Sequence, residues 1–277
     1  MPLKADPKKL INWYNVMPES MKPKVPNPHY DKHGISMPFR LVLIGASGAG
    51  KSNTLTNLLF QMPDTFTKII LCCQDSEEPL YRFLKACLKP EELDVREGIE
   101  NVPDLSELDK GDENHTLLIY DDLCLAKNQK KIEEAFIRGR KVPVSVIYSS
   151  QSYFHVPKIC RLNASHIILK KLHALRDLRL LLTDHNLGVD REDLLKAYQE
   201  CTREPLDFLM VAASEKPENR FRHNLTDIIQ LGNKDQDDGS GSSSDSESDS
   251  SDSEPDTTRS GTGTKTDPVT KRKVRHR

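Results

Sequence analysis

Phe39-Arg40-Leu41-Val42-Leu43-Ile44-Gly45-Ala46-Ser47-Gly48-Ala49-Gly50-Lys51-Ser52 is the stretch on which the fold turns. Its first part is a short, mainly apolar run ending in glycine, the pattern of a strand buried on both faces. The eight residues from Gly45 fit G-x-x-x-x-G-K-[S/T] at every position, and Ser52 opens an amphipathic run that reaches Gln61. At average residue frequencies a chance match in a chain this long has odds of roughly one in a hundred. A strand before the motif and a helix after it are the context it requires. The chemistry explains the pattern. Glycines let the backbone wrap until its N–H groups face a β-phosphate, at the positive end of the following helix. Lys51 then reaches the β and γ oxygens, and the Ser52 hydroxyl ligates Mg²⁺. The expected nucleotide-binding residues are Gly45, Ala46, Ser47, Gly48, Ala49, Gly50, Lys51, Ser52 and the adjoining Asn53.

Further short apolar runs recur at Lys68–Cys73, Thr116–Tyr120, Val144–Tyr148, His166–Leu169 and Asp207–Val211. Amphipathic stretches lie between them, at Leu80–Leu88, Lys130–Arg138, Ala174–Leu182 and Arg191–Cys201. Strands alternating with helices predict an α/β fold on a mainly parallel sheet. The run Thr116-Leu117-Leu118-Ile119-Tyr120 ends in Asp121-Asp122. Asp121, at the strand tip, is expected to hold the Mg²⁺ shell, and Asp122 to orient or deprotonate an attacking water. The intervening strand Lys68–Cys73 points to the ATPase branch of phosphate-loop proteins. A guanine-specific enzyme should offer N-K-x-D, and Asn233-Lys234-Asp235-Gln236 lacks the final aspartate. ATP and Mg²⁺ are therefore the expected cofactors.

The 277 residues carry 40 Lys+Arg against 42 Asp+Glu, so any nucleic-acid role must rest on a local basic patch. No stretch approaches the ~18–20 apolar residues of a spanning helix, and Met1-Pro2-Leu3-Lys4-Ala5-Asp6 has no apolar signal core. Six scattered cysteines, with no metal-type C-x-x-C spacing, predict reduced, buried thiols in an intracellular protein and no structural zinc site. Three regions are expected. Residues 1–34 form a proline-rich arm with a short helix around Lys8–Tyr14; residues 35–232 form the ATPase domain; residues 233–277 form a disordered tail. Within that tail, Asp237–Glu254 holds nine serines, seven acidic residues and two glycines, a composition that builds no core and suits an acid-directed kinase. The chain ends Lys271-Arg272-Lys273-Val274-Arg275-His276-Arg277, a nuclear-import signal, a phosphate-binding arm or a solvated end.

Arg138-Gly139-Arg140-Lys141 precedes the Val144–Tyr148 run, which continues into Ser149-Ser150-Gln151. By spacing alone Gln151 reads as a loop residue and the arginines as a solvated helix end. The set Pro38-Phe39-Arg40, GASGAGKSN at 45–53, IYDDL at 119–123, RGRK at 138–141 and SVIYSSQSYFHVPKICRLN at 145–163 resembles the poxvirus-type genome-packaging ATPases, in the FtsK/HerA branch of P-loop motors. The resemblance runs from about Asn27 to Ala213. It implies a RecA-like (ASCE) P-loop NTPase that assembles as a homo-oligomeric ring and pulls double-stranded DNA into a capsid. It implies a nucleotide-sensing role for Gln151, a trans arginine finger at Arg138 or Arg140, the metal position at Asp121 and the catalytic acid at Asp122. Two departures from the pattern stand out: the wider superfamily usually has glutamate at the position of Asp122, and Lys141 replaces a histidine of the arginine signature.

Candidate DNA-facing segments are Lys127-Asn128-Gln129-Lys130-Lys131, Tyr153–Arg161, and Lys170-Lys171 with Arg176 and Arg179. The expected partners are non-specific double-stranded DNA, further copies of the chain, and a capsid or portal-like component. The alternative from another class is a nucleotide switch that docks to a partner with little turnover. The resemblance and the basic end together place the protein in a host nucleus or a cytoplasmic viral factory, or on the virion.

Overall fold

The computed structural model describes residues 10–21, 25–108, 115–139 and 142–231. The serine-rich tail, the basic end, Arg140 and Lys141 lie outside these residues. The strands are β1 (Arg40–Ile44), β2 (Lys68–Cys73), β3 (Leu93–Glu97), β4 (Thr116–Asp121), β5 (Val144–Ser150), β6 (His166–Leu169), β7 (Leu209–Val211), β8 (Phe221–His223) and β9 (Asp227–Ile229). The helices are α1 (Trp13–Val16), α2 (Tyr30–His33), α3 (Lys51–Gln61), α4 (Pro79–Cys87), α5 (Lys130–Arg138), α6 (Lys158–Asn163), α7 (Arg176–Asp184) and α8 (Arg191–Cys201).

Among the described residues the strands form one sheet in the order β3-β2-β4-β5-β1-β6-β7-β8-β9. The pairs from β3 through β6 are parallel, and β6–β7, β7–β8 and β8–β9 are antiparallel. Strand β5 lies between the phosphate-loop strand β1 and the acidic strand β4, whereas β2, the Lys68–Cys73 run that separates the two motifs in sequence, lies on the far side of β4. Strand β7 falls within the expected Asp207–Val211 run, but its continuation through β8 and β9 is not anticipated by the alternation of runs, because these two are three residues each and carry charge. Edge strand β3 escapes for a related reason: Leu-Asp-Val-Arg-Glu is only half buried and lacks a continuous apolar run.

The central strands read as apolar throughout because both faces are covered. Val42 and Ile44 pack on one face with Ile132 and Phe136 of α5, Leu178 and Leu181 of α7, and Leu194 of α8. Leu41 and Leu43 pack on the other with Leu55 and Leu58 of α3 and Tyr81 and Leu84 of α4. Alternate residues of one strand thus serve two cores. Each fully buried side chain of this kind contributes about 1.5–3 kcal/mol, taken as an upper bound on transfer from water.

The proline-rich arm is less extended than its composition suggests. Its described part holds the short helix α1, later than the expected Lys8–Tyr14, then α2, which ends at Gly34 in a left-handed conformation. The Gly34 carbonyl accepts from Arg222 Nη1 at 2.7 Å, and His33 and Ile35 are buried, so this end of the arm is built onto the sheet. The thiols also depart in part from expectation. Cys72, Cys73, Cys160 and Cys201 are buried, whereas Cys87 is exposed on α4 and Cys124 is half-buried. Among the described residues no helix is long and apolar enough to cross a membrane.

Candidate active site

Ile44 pairs with Ser150 on one side and Leu169 on the other, so the loop that follows β1 emerges between β5 and β6 at the carboxyl edge of the sheet. Two amides fasten it there. Gly45 N donates to the Ser150 carbonyl at 3.2 Å and Ala46 N to the Lys171 carbonyl at 2.8 Å. A Cβ on Gly45 would lie 2.9 Å from the Cβ of Lys170, closer than side chains tolerate, which is why the first position must be glycine. Gly50 caps α3 at φ 81°, in the left-handed region, and turns the chain into the helix at Lys51. The first amides of α3 have no acceptor within the helix and form a ready anion site. Lys51 is buried, its stem lying against Gly45, and Ser52 and Asn53 are half-buried in the first turn.

Asp121 closes β4 in register with Cys73 of β2 and Ser149 of β5. It is buried, and the Tyr81 hydroxyl of α4 donates to its Oδ2 in a short bond. Burial pushes its carboxyl above the usual carboxylate range; the neighbouring Ser149 and Tyr81 hydroxyls oppose that, Asp122 adds to it, and the Lys51 charge pulls back. Asp122 follows at φ 52°, its amide donating to the Ser149 carbonyl at 3.3 Å. Oδ1 of Asp121 and Oδ1 of Asp122 are buried without a protein hydrogen-bond partner. That leaves an unsatisfied carboxylate oxygen on each of two consecutive residues, one strand beyond β5. Their chemistry fits Mg²⁺, which takes one or two protein oxygens and completes its shell with water and phosphate. Among the described residues no group of three or more His, Cys, Asp or Glu gathers as an all-protein metal cage.

Gln151 follows the last residue of β5 and is exposed beside the start of the loop. It lines a cavity of about 250 Å³ with Cys124, Leu125, His155, His173 and Arg176. The phosphate loop, Asp121, Asp122 and Gln151 therefore share the carboxyl edge of three neighbouring strands. Arg138 does not join them. Helix α5 carries the chain back between the parallel strands β4 and β5, so Arg138 ends at the opposite edge, exposed and paired with Glu134 at 2.7 Å.

Several candidate DNA-facing residues prove to be structural. Lys170 is wholly buried, donating to Thr54 Oγ1 at 3.0 Å and to the Leu206 carbonyl at 2.7 Å. Burial lowers its pKa to about 8, with Asp207 pulling the other way. Arg161 is buried against Asp184 at 2.8 Å and lies over the Tyr153 ring. Gln129 braces its own loop, donating to the carbonyls of Leu123, Cys124 and Ala126 and accepting from Tyr148. Lys131 is tied to Asp104 and to the Val102 carbonyl. Lys127, Lys130, Lys158, Lys171, Arg176 and Arg179 remain exposed, Arg176 stacking on exposed Phe154 with 5.4 Å to the ring centroid. Sequence reasoning missed Tyr81 and the buried role of Lys170, since a tyrosine in an amphipathic helix and a lysine after a strand carry no distinguishing signal.

The family model described as "Poxvirus A32 protein" matches residues 29–204, well over half of the sequence. The chain belongs to that family. Its fold recurs in the genome packaging NTPase B204 of Sulfolobus turreted icosahedral virus 2. The form solved with AMP is 18% identical, has a TM-score of 0.51, and covers 69% of this chain and 99% of its own. The sulfate complex is 16% identical with a TM-score of 0.52, covering 71% of this chain and 100% of its own. B204 of Sulfolobus turreted icosahedral virus, described as a DNA-packaging ATPase, is 15% identical with a TM-score of 0.50, covering 69% of this chain and 99% of its own. Among curated proteins none matches the sequence. The recognition of a packaging-type P-loop fold from motifs at 38–163 is thus shown, and so is the mainly parallel architecture.

Proposed function

We propose that this protein is an ATP- and Mg²⁺-dependent motor that translocates double-stranded DNA to package a viral or virus-like genome. The observation that carries the reading is the convergence of the phosphate loop with Gln151 and two carboxylates, each keeping one unsatisfied oxygen, at one sheet edge. Membership in the poxvirus A32 family, and a fold shared with proteins described as genome packaging NTPases, support the DNA and capsid partners.

The residues divide the work. Loop amides and Lys51 hold the triphosphate and offset charge as it moves toward the leaving oxygen. Ser52 and Asp121 would hold Mg²⁺, which neutralises the β and γ oxygens when bound. Asp122 holds and accepts the proton of the attacking water, and Gln151, beside the loop start, orients that water and reports the γ-phosphate to the 151–155 segment. An arginine finger supplied between ring neighbours, from Arg138 or Arg140, fits the position of Arg138 far from its own loop. Lys127, Lys130, Lys158, Lys171, Arg176 and Arg179 are the exposed cations of the candidate segments left for phosphate contacts with DNA.

Tyr81 positions the metal-binding carboxylate in this scheme. Removing its hydroxyl in Tyr81→Phe should weaken Mg²⁺ support of nucleotide binding by about 10–100-fold, the usual effect of losing such a partner. The Mg²⁺ dependence of ATP-analogue binding is the readout, and an unchanged dependence would show that Tyr81 only packs.

The test of the function is steady-state ATP hydrolysis with and without linear double-stranded DNA. Strong stimulation that collapses between low and moderate salt is the expected result. ATP binding without DNA-stimulated turnover, at concentrations where rings form, would replace the motor by a nucleotide-controlled docking protein.

A further inference from the structure

Two apolar surfaces of this chain stand open to water, and each has the features to cover the other. The first is the outer part of the arm. In Leu10-Ile11-Asn12-Trp13-Tyr14-Asn15-Val16-Met17 the apolar residues outnumber the polar ones. Leu10, Trp13, Val16 and Met21 are nonetheless exposed. Trp13 and Val16 are three residues apart on α1 and so share one face of it. The arm is fastened to the body further along, where His33 is buried and Arg222 holds the Gly34 carbonyl.

The second surface lies where the last turn of α3 meets α4. Phe60 and Phe83 touch there, their ring centroids 6.2 Å apart, and each is 51% exposed. Beside them opens a cavity of about 170 Å³, lined by Phe60, Met62, Pro63, Phe66 and Leu88, with Asp64 and Glu92 as its charged members. Aromatic rings and methionine gathered at a surface are the composition of a protein interface. We propose that the arm of one copy docks in the α3–α4 groove of the next, with Trp13 seated against Phe60 and Phe83.

Two observations select a second copy as the occupant. Within one copy Trp13 and Val16 are exposed while Phe60 and Phe83 are exposed too, so a chain's own arm does not cover its own groove. The charges also match. Lys8-Lys9 precede the apolar stretch, and Lys22 and Lys24 follow it. Both charged residues that line the cavity are acidic, although Glu92 shares its charge with Lys89. Complementary charge at the rim fixes the register of an apolar contact more than its strength. Arm and groove are different patches, so the contact is heterologous and repeats head to tail, closing into a ring or running on as a filament. It includes no residue of the phosphate loop or its acids, and it stands whether or not the motor reading holds.

Sedimentation of the full chain over a concentration series tests this, with Trp13→Glu and Phe83→Glu as single variants. Wild type should associate, and each variant should need at least about 30-fold higher concentration to do so, the effect of losing an interface anchor. The decisive sample mixes the two variants. A Trp13→Glu copy keeps its groove and a Phe83→Glu copy keeps its arm, so the pair should form a one-to-one dimer that grows no further. Both variants should melt close to wild type; should Phe83→Glu fail to fold, Phe60→Glu takes its place in the groove. A monomeric wild type, variants that associate as wild type does, or a mixture that fails to pair would each overturn the proposal. So would a lowered melting temperature with unchanged association, which would mean that the arm covers its own groove in solution.

Discussion

Lys51→Ala should abolish ATP turnover and weaken nucleotide binding by about two to four orders of magnitude. Lys51 is the first residue of α3, buried beside Gly45, and its ammonium is the one mobile charge the loop adds to its ring of amides. Each charge-assisted bond to a phosphate is worth about 1.5–3 kcal/mol, and two of them give about 10²–10⁴ in affinity. Most of the catalytic loss comes on top of this, because the same ammonium meets charge that grows in the transition state. The fold should survive, since alanine is the best helix former and the loop stays fastened by the Gly45 and Ala46 amides. Equilibrium binding, hydrolysis and thermal unfolding of the one variant separate these effects. Retained turnover with an intact fold would show that the loop is not the catalytic phosphate site. Lys51→Arg should fail as well, because a planar guanidinium does not fill the place of a compact ammonium.

How far the sequence carries depends on what each feature needs. The phosphate loop is legible because its function constrains consecutive backbone positions, so the code is local. The strands β1, β2, β4, β5 and β6 are legible because burial on both faces makes them continuous apolar runs. Edge strands β3 and β9 are partly exposed, β8 beside β9 is buried but carries Arg222 and His223, and nothing in three to five mixed residues separates them from loop. The site shows the same divide. Asp121 and Asp122 announce themselves at the end of an apolar run. Tyr81 lies forty residues upstream and meets Asp121 only because β2 and β4 pair and α4 packs across them. Lys170 reads as a surface cation because charge is normally solvated, and only tertiary structure shows it buried between Thr54 and Leu206. The roles expected of Gln151 and the arginines come from the family resemblance alone, because their spacing reads as loop and helix end.

Asp122→Asn is the sharper test of chemistry, because the backbone makes it almost silent elsewhere. Asp122 sits at φ 52°, a left-handed conformation that aspartate and asparagine tolerate far better than other side chains. Asparagine therefore keeps the turn, the amide bond to Ser149 and the neighbouring metal-binding carboxylate, and loses only the capacity to take a proton. Nucleotide binding should stay within a few-fold of wild type while hydrolysis falls by about 10²–10⁴, the usual range for a general base. Loss of binding instead would make Asp122 a structural acid that shapes the β4 exit. The same backbone explains why this chain departs from the glutamate usual in the wider superfamily. A longer side chain gains reach, but glutamate tolerates the left-handed conformation less well than aspartate or asparagine, a strain of about 1–2 kcal/mol. Asp122→Glu should accordingly lose stability as well as rate, and a fully active, equally stable glutamate variant would show that the turn does not set the choice of acid. The two substitutions differ by one methylene and one charge, so rate and stability together assign Asp122 to catalysis, to the turn, or to both.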